Sequence, residues 1–300
     1  MRILRFACAV VLAANHSHVF AQSAPVPEKN KSQPLYEVTI VSRTTKALNY
    51  GYLTAPTRID FQGTAVMPSA RGEAIIQPKR GSTVLKLRFR GVPPPGKFGP
   101  QFLTYVVWAI SPEGRPQNLG ELTLDGDDGK LTSSTPLQTF AMIVTAEPYY
   151  AVTQPSDVVV MENVVGRGTI GNVQEVNATY ELLPRKAFTF DAGSQPKVGG
   201  PPVSQEQYEA ITALYQALNA IQIAHSQDAD RYAPDRMSRA RELYDKARGF
   251  PVHLSKEIVS MAREATQIAE DSRAIAVKRA EAAKAAENER SRSAGTQADK

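Results

Sequence analysis

The side chains that carry most enzyme and metal chemistry are scarce in this chain. It contains four histidines and one cysteine in 300 residues. Cys8, His16 and His18 fall within the first 21 residues, and the two other histidines are His225 and His253. Both lie in stretches predicted to be helical, and His225, at the end of an apolar stripe, is expected to be a partly buried packing residue and not a ligand. The composition therefore argues against a disulfide framework, a zinc site and a Ser-His-Asp triad.

Acidic residues are the remaining candidates for chemistry. Glu147 and Asp157 are close in sequence, but glycoside hydrolysis needs two carboxyl groups roughly 5 to 10 Å apart, which sequence spacing does not establish. More carboxylates lie in the segment Asp125-Gly-Asp-Asp-Gly129. Pro136 stands where a calcium loop of the EF-hand type needs a bidentate Glu, so we interpret the segment as a hairpin turn. We predict a protein that is not an enzyme, with no catalytic residue, cofactor or metal site.

The first 21 residues have the features of a secretory signal peptide. Arg2 and Arg5 come before a short apolar run, and Ala21 ends a cleavage site of small residues. The run is too short to span a bilayer, and no later stretch reaches the roughly 20 apolar residues of a transmembrane helix. We therefore expect the mature chain to be periplasmic or secreted, or associated with the outer membrane, and to have no transmembrane segment.

The charge balance argues against a nucleic-acid partner. The formal net charge of the whole chain is +5, and it becomes about +3 when Arg2 and Arg5 leave with the signal peptide. From Ser204 onward, 15 basic residues balance 15 acidic ones. Nucleic-acid recognition normally requires a clustered basic excess, which this half does not have.

Residues 35–190 have the pattern of an antiparallel all-β domain. In Leu85-Lys-Leu-Arg-Phe-Arg90, the three apolar residues are expected to face a core and Lys86, Arg88 and Arg90 to face water. These basic residues are candidate contacts for anionic lipid or wall polymer, but alternating charges of this kind are usually the solvated face of a sheet. Such short segments predict an Ig-like β-sandwich, with further strands at 36–42, 59–66, 101–110, 119–124, 139–146, 157–165 and 173–183.

Aromatic residues in this half suggest both a core and a contact surface. Trp108 lies on the most apolar predicted strand and is expected to anchor the sandwich core. Tyr149 and Tyr150 follow Glu147-Pro148 in a predicted loop, where aromatic rings supply contact area at low entropic cost. They are candidate contacts for a carbohydrate or a peptide.

Several segments of this half resemble the extracytoplasmic β-sandwich of anti-sigma-K factors. The similar features are the Tyr-x-x-Trp strand within 102–110, the Asn-Leu-Gly-Glu-Leu segment at 118–122, the strand ending in Thr-Ala-Glu-Pro at 139–148, and Gln-Pro-Ser at 154–156. The resemblance implies a fold and not a regulatory activity, because we find no sigma-binding helical region before a membrane span. An envelope stress-sensing partner is therefore the third of our functional hypotheses.

Residues 204–286 have the Ala-rich composition and the periodicity of helices. Ser204-Gln-Glu-Gln207 forms a capping box, Pro234 suits the first turn of a second helix, and Gly249-Phe250-Pro251 ends that helix. The pattern predicts an α-helical hairpin or three-helix antiparallel bundle, or a coiled-coil arm completed by another chain. A third helix carries a seam of heptad spacing, formed by Leu254, Ile258, Met261, Ala265, Ile268 and Ile275.

Two segments of the helical half, 232–247 and 261–273, resemble the Ala-rich helical domain of unknown function in bacterial envelope lipoproteins. In those proteins it commonly precedes a peptidoglycan-binding module of the outer-membrane-protein-A type. The resemblance implies an envelope protein associated with the outer membrane. The family's wall-binding residues belong to that final module, which we do not find here, so none is assigned.

These patterns together predict an exported protein with a structural or interaction role in the cell envelope. Its partners would be envelope proteins or cell-wall polymer, and the helices would form a homo-oligomer. The alternative is a secreted carbohydrate- or peptide-binding module on a helical stalk. The expected parts are a signal peptide at 1–21, a disordered leader at 22–34, the β-sandwich at 35–190, a Pro/Gly linker at 191–203, the helical domain at 204–286 and a disordered tail at 287–300.

Overall fold

The computed structural model describes residues 41–51, 53–165, 169, 176–183, 203–251 and 253–298. The expected signal peptide, leader and linker fall outside them, apart from Val203. Among the described residues, no helix combines the length and the hydropathy needed to cross a membrane.

Eleven strands come first in the described chain, and they pair with one another in antiparallel fashion. A short 3₁₀ helix, Pro95–Phe98, lies between the fourth and fifth strands. This confirms a large antiparallel sheet. The strands are β1 Val41–Asn49, β2 Thr57–Gly63, β3 Arg71–Lys79, β4 Ser82–Arg90, β5 Thr104–Ile110, β6 Pro116–Glu121, β7 Thr123–Asp125, β8 Asp128–Thr135, β9 Thr139–Glu147, β10 Val159–Val164 and β11 Val176–Leu182.

The path of the paired strands nearly closes on itself. Hydrogen-bonded neighbours run β6-β5-β9-β10-β2-β3-β4-β8-β7, and β1 pairs with both β9 and β11. Across the remaining gap, the Ser133 hydroxyl on β8 donates to the Leu119 carbonyl on β6 at 2.6 Å. The Thr135 hydroxyl on β8 donates to Gln117 Oε1 on β6 at 2.6 Å. These bonds bring the two ends of the path together around an interior core.

β5 and β9 are buried on both faces. Tyr105 and Val107 on β5 face the interior core, together with Met142 and Val144 on β9. The alternate residues of both strands, Trp108 among them, belong to a second core that the helices complete. A strand buried on both sides has no polar face, which explains its continuous apolar sequence. Trp108, which the sequence pattern assigns to the sandwich core, lies in this second core instead.

The alternation predicted for β4 is confirmed. Leu85, Leu87 and Phe89 are buried, and the basic residues between and after them are exposed. The hairpin turn predicted in the acidic segment is confirmed as well, because β7 pairs with β8 across it. Gly126 adopts a φ of 58° there, as a two-residue hairpin loop with glycine first requires.

β3 and β8 are strands that the sequence pattern did not predict. β3 contains Gly72 and Pro78, which disfavour a strand when it is considered alone. β8 is a run of small and polar residues with Leu131 as its one large apolar residue. Both form because they pair along their lengths with β4, one on each side. The neighbouring strand therefore supplies the hydrogen bonds and packing that their own sequences do not specify.

In the described residues, four helices follow the sheet: α1 Gln205–Ser226, α2 Ala229–Tyr232, α3 Pro234–Gly249 and α4 Ser255–Ala298. The predicted capping box is confirmed. The Gln207 N–H donates to Ser204 Oγ at 3.3 Å, and the Ser204 N–H donates to Gln207 Oε1 at 3.0 Å. Pro234 opens α3, which ends at Gly249 as predicted. α1 and α3 both pack along α4.

α4 packs through a face that only partly coincides with the predicted seam. Of the seam, Ile258 and Ala265 are buried. The other four residues keep partial exposure: Leu254, Met261, Ile268 and Ile275. Small side chains let backbones approach closely, so α4 fits between the other helices and the sheet. This close packing uses a buried row of alanines spaced by seven: Ala262, Ala269 and Ala276.

α4 also continues beyond the boundary predicted at Ala286. The tail that we expected to be disordered from residue 287 is helical up to Ala298. Alanine, glutamate and arginine are good helix formers, so losing the apolar periodicity ends the packing without ending the helix. Every residue from Lys278 to Ser293 is exposed.

Enlarging the buried alanine row should destabilise the protein. Ala269→Leu places extra carbon atoms in a fully buried site between α4 and the sheet, which should lower the free energy of unfolding by about 1 to 3 kcal/mol. Urea unfolding measures this change. The matched control is Ala282→Leu on the exposed part of the same helix, which should change stability by less than about 0.5 kcal/mol. Equal effects of the two substitutions would contradict the packing described for α4.

Candidate functional site

Buried polar side chains gather where α4 meets the segment that follows β9. Glu270 and Arg273 lie one turn apart on α4, and Tyr149 and Thr153 lie just beyond the end of β9. Gln227, which caps the end of α1, completes the group. We call these five residues the polar cluster. Glu270 has no exposed surface and Arg273 is 6% exposed.

Glu270 uses both of its carboxylate oxygens. Oε1 accepts the Thr153 backbone N–H at 2.9 Å and the Thr153 hydroxyl at 2.5 Å. Oε2 accepts the Tyr149 hydroxyl at 2.7 Å. Hydrogen bonds to an ionised acceptor are about twice as strong as neutral ones. One helical carboxylate therefore binds α4 to the segment after β9.

Arg273 holds the same carboxylate in a two-point ion pair. Its Nε donates to Glu270 Oε2 at 2.6 Å, and its Nη2 donates to Oε1 at 2.7 Å. Nη2 also donates to Thr153 Oγ1 at 3.0 Å, and Nη1 donates to Gln227 Oε1 at 3.2 Å. The planar guanidinium matches the carboxylate in this geometry. Arg273 thereby joins α4, the end of α1 and the segment after β9.

Burial and pairing act in opposite directions on these two charges. Burial alone would raise the pKa of Glu270, but the hydrogen bonds and charge of Arg273, with the Thr153 and Tyr149 hydroxyls, hold that pKa below its usual value. Burial would lower the pKa of Arg273, and the bonds and charge of Glu270 raise it above its usual value instead. Burial and the Glu270 charge raise the pKa of Tyr149 well above its usual value. At neutral pH the cluster therefore holds one carboxylate, one guanidinium and neutral hydroxyls.

A second buried chain of hydrogen bonds begins at Trp108. Its indole N–H donates to Thr145 Oγ1 at 2.7 Å, and the Thr145 hydroxyl donates to Glu147 Oε1 at 2.5 Å. The Ser156 N–H donates to the same oxygen of Glu147 at 2.8 Å. The other carboxyl oxygen, Oε2, is buried and has no hydrogen-bond partner among the described residues.

Glu147 is consequently a buried carboxyl group that keeps its proton at neutral pH. Burial is the largest effect and raises the pKa of Glu147 to about 8, although hydrogen bonds from Ser156 and Thr145 act to lower it. The negative charge of Glu270 also raises this pKa. The two glutamates at the interface between sheet and helix therefore differ in protonation state.

A cleft of about 510 Å³ opens beside the polar cluster. Its walls are α4, β11 and the turn that leads into β6, and Arg273 and Thr153 also line it. Clefts of this size hold small ligands in many proteins. The other charged residues around it carry both signs: Glu113, Arg115, Glu181, Lys278 and Glu281.

The buried carboxyl groups of Glu147 and Glu270 make contacts that hold neighbouring segments together. A protonated carboxyl group that feels the charge of an ionised one, as Glu147 feels that of Glu270, is an arrangement that acid–base catalysis uses. Glu147 and Glu270 have no exposed surface, however, and their bonds go to neighbouring side chains and backbone. Among the described residues, no group of three or more His, Cys, Asp or Glu is placed to hold a metal ion.

Tyr149 and Tyr150 are not the exposed loop aromatics that the sequence analysis predicts. Tyr149 is completely buried. The Tyr150 hydroxyl donates to the Arg263 carbonyl at 3.0 Å, and the Arg263 guanidinium carbon lies 4.4 Å from the Tyr150 ring centre. α4 covers both tyrosines because it packs on the segment that contains them. A carbohydrate or peptide therefore has no open ring face to bind at Tyr149 and only a partly covered one at Tyr150.

None of the other residues singled out in the sequence belongs to the polar cluster. Lys86, Arg88 and Arg90 are exposed on the outer face of β4. His225 is exposed and not partly buried as predicted, and its Nδ1 lies 2.5 Å from Asp230 Oδ2. His253 is exposed as well. The structure therefore does not bring these groups together with the buried carboxyl groups.

Glu270 and Arg273 are not among the site residues predicted from the sequence. The stretch Glu270-Asp-Ser-Arg273 is strongly polar and resembles a solvent-facing part of a helix. A signal was present in the buried alanine row, because Arg273 lies four residues after Ala269 and three before Ala276. It therefore shares a helix face with them. A charged residue on a small-residue packing face requires a buried partner.

Breaking the buried ion pair from one side should destabilise the fold strongly. Arg273→Met leaves the Glu270 carboxylate buried without its counter-charge, which should cost about 3 to 5 kcal/mol in urea unfolding. Combining it with Glu270→Met should recover part of this loss, because an apolar pair needs no charge partner. Arg239→Gln is the matched control: it removes exposed ion pairs with Glu242 and Glu264 and should cost less than about 1 kcal/mol. If Arg273→Met were as stable as Arg239→Gln, the buried ion pair would not have the stabilising role described.

Glu147 should make stability fall as the pH rises. The pKa of its carboxyl group goes from 4.5, the ordinary value, to about 8 in the fold. The folded chain therefore binds the proton more tightly than the unfolded chain between these values. The free energy of unfolding should fall by about 1.4 kcal/mol per pH unit across this range and then level off. Glu147→Gln should remove this dependence of the free energy of unfolding on pH, as measured by urea unfolding. If the dependence were unchanged in the variant, another group would be its cause.

Comparison with known proteins adds no relative: the chain matches no protein-family model, no curated protein and no solved structure. The resemblances to anti-sigma-K factors and to envelope lipoproteins therefore remain expectations. The function has to be argued from the geometry of the described residues.

Proposed function

We propose that this protein is a non-enzymatic component of the cell envelope, periplasmic or at the outer membrane, in which a body of sheet and helices presents a helical arm to a partner. The observation that carries the proposal is that one part of α4 is buried and the other part is exposed. Its first part is packed against the sheet and the other helices, whereas every residue from Lys278 to Ser293 is exposed. With 44 residues at about 1.5 Å per residue, α4 is about 66 Å long. We call the part after Val277 the arm.

The arm starts from a fixed base. Ala276 is buried in the second core, one residue before the last position of α4 that keeps any burial. Glu270 and Arg273 bind the preceding turns to the sheet side. Arg279, at the start of the arm, donates a hydrogen bond to the Tyr232 carbonyl on α2. Because these contacts hold the base of the arm, the arm should point in one fixed direction from the body.

The surface of the arm suits a helical partner. From Lys278 to Ser293 every side chain of the arm is exposed, so a covering element would add the packing that stabilises most helices in proteins. Small side chains allow another helix to approach closely, and the charged residues between them would set its register. The partner would be an envelope protein or a second copy of this chain. The small residues are Ala280, Ala282, Ala283, Ala285 and Ala286.

For the architecture we propose a finer description, an Ig-like sandwich followed by a three-helix antiparallel bundle whose last helix becomes the arm. The interior core between opposed strands supports the first part. The apolar cluster that α1, α3 and α4 share supports the second. The envelope location rests on the signal-like first 21 residues and on the resemblance to envelope lipoproteins.

A carbohydrate- or peptide-binding module is the second candidate, and the cleft beside the polar cluster favours it. Arg115 and Lys278 stand at this cleft with Glu181 and Glu281. Paired charges of both signs suit a peptide, which carries both signs itself. This function uses Lys278 and Glu281 at the cleft but not the rest of the arm. Saturable binding of cell-wall peptides by a chain that stops after Glu281 would favour it over the first candidate.

Removing the arm beyond Glu281 should abolish assembly without unfolding the body. A chain that stops after Glu281 keeps every buried position of α4, so its thermal unfolding should match that of the full chain. Light scattering after size exclusion should show the full chain as an oligomer, or bound to a partner recovered from an envelope extract, and the shortened chain as a monomer. Fractionation into periplasm, outer membrane and cell-wall sacculus should locate the full chain in one of these. A full chain that is monomeric and recovers no partner would contradict the proposal.

A further inference from the structure

The outer face of β4 carries an unusual concentration of positive charge. Lys86, Arg88 and Arg90 point to this exposed face, opposite the interior core. On the neighbouring strands, Lys130 stands directly across from Arg88, and Arg71 stands directly across from Arg90. All five are exposed. We call these five residues the basic strip.

Two like-charged pairs directly across a sheet destabilise it. Among the described residues, no carboxylate lies within ion-pairing distance of the four strip residues on β4 and β8. The Arg71 guanidinium donates to the backbone carbonyls of Pro68 and Ala70. On the same face, by contrast, Arg58 pairs with both Asp60 and Glu73. The strip therefore keeps its charge available to a partner.

The strip is narrow, which limits the shape of that partner. Alternate residues on a strand are roughly 7 Å apart, so the three β4 charges extend over roughly 14 Å. Acidic residues border them, with Glu73 across from Arg88 on one side and Asp128 across from Arg90 on the other. A flat anionic surface such as a bilayer would bring negative charge against Asp128 and its neighbour Asp125. A single chain laid along β4 would avoid both.

The strip also has an apolar neighbour. Ile75 stands directly across from Lys86 and is 38% exposed, one of few large apolar side chains on the surface of the described chain. The carbon-rich face of a sugar ring can pack on such a side chain, whereas a polyphosphate chain has no apolar face. The spacing of the strip charges likewise suits acidic groups separated by sugar units more than adjacent phosphates.

We propose that the outer face of β4 binds an acidic polysaccharide, with carboxylates on Lys86, Arg88 and Arg90 and a sugar ring beside Ile75. This inference goes beyond the proposed function, because it uses the sheet and not the arm. Either can fail without the other. The like-charged pairs across the sheet are then the stability cost of a binding surface.

The test uses the full chain and polygalacturonate as the probe, with binding measured by calorimetry at low and at high salt. The wild-type chain should bind, and binding should weaken at high salt because exposed charges are screened. The variant Lys86→Gln, Arg88→Gln, Arg90→Gln should lose about tenfold in affinity. The matched control removes the same net charge from exposed helix positions, Lys246→Gln, Lys256→Gln, Lys284→Gln, and should lose less than about twofold.

Three results would overturn the proposal. They are a wild-type chain that does not bind, an equal loss in the two triple variants, and tighter binding to phosphatidylglycerol vesicles or polyphosphate than to polygalacturonate. The stability of Arg88→Gln gives an independent readout. Its melting temperature should stay close to that of the wild type, because the repulsion from Lys130 and the attraction to Glu73, both directly across from Arg88, are lost together. A clearly lower melting temperature would give Arg88 a structural role and remove the basis of the inference.

Discussion

The buried ion pair between Glu270 and Arg273 is the interaction on which the arrangement of sheet and helices depends. A charge taken out of water is costly unless a partner and hydrogen bonds replace the lost hydration. Here that replacement comes from three separate parts of the chain: α4 itself, the segment after β9, and the end of α1. The pair is satisfied only when all three are in place. It therefore favours one position of α4 over others that would bury similar apolar area.

The need for such a docked helix comes from β5 and β9. Their inward residues fill the interior core, and their outward residues, such as Trp108 and Ile143, are equally apolar. Without the helices these outward side chains would face water and lose the stabilisation of burial, roughly 1.5 to 3 kcal/mol for each large one. The helical half is thus part of the sheet's own core and not a stalk joined to it. Flexible movement between the two halves would expose this surface.

Charge is divided between two uses in this molecule. Inside, Glu147, Glu270 and Arg273 contribute to packing, and their pKa values follow from burial and pairing. Outside, the basic strip forms no ion pair among the described residues, and the arm of α4 is exposed from Lys278 to Ser293. Exposed charge of this kind is where we expect interactions with other molecules. The carboxyl groups that residue type alone would assign to chemistry are buried inside the fold.

The sequence by itself determined the local features. Alternation identified the two faces of β4, glycine placed the hairpin at Gly126, and the capping box marked the start of α1, because each depends on residues within a few positions of one another. It did not reveal β3 and β8, whose pairing is supplied by β4, or the contact between Tyr149 and Glu270, which are 121 residues apart. Only the tertiary structure decided which apolar strand would be covered on both sides and which charges would be buried. The physical reason is that burial and its effects on packing and pKa are properties of contacts between distant segments, and local spacing carries no record of them.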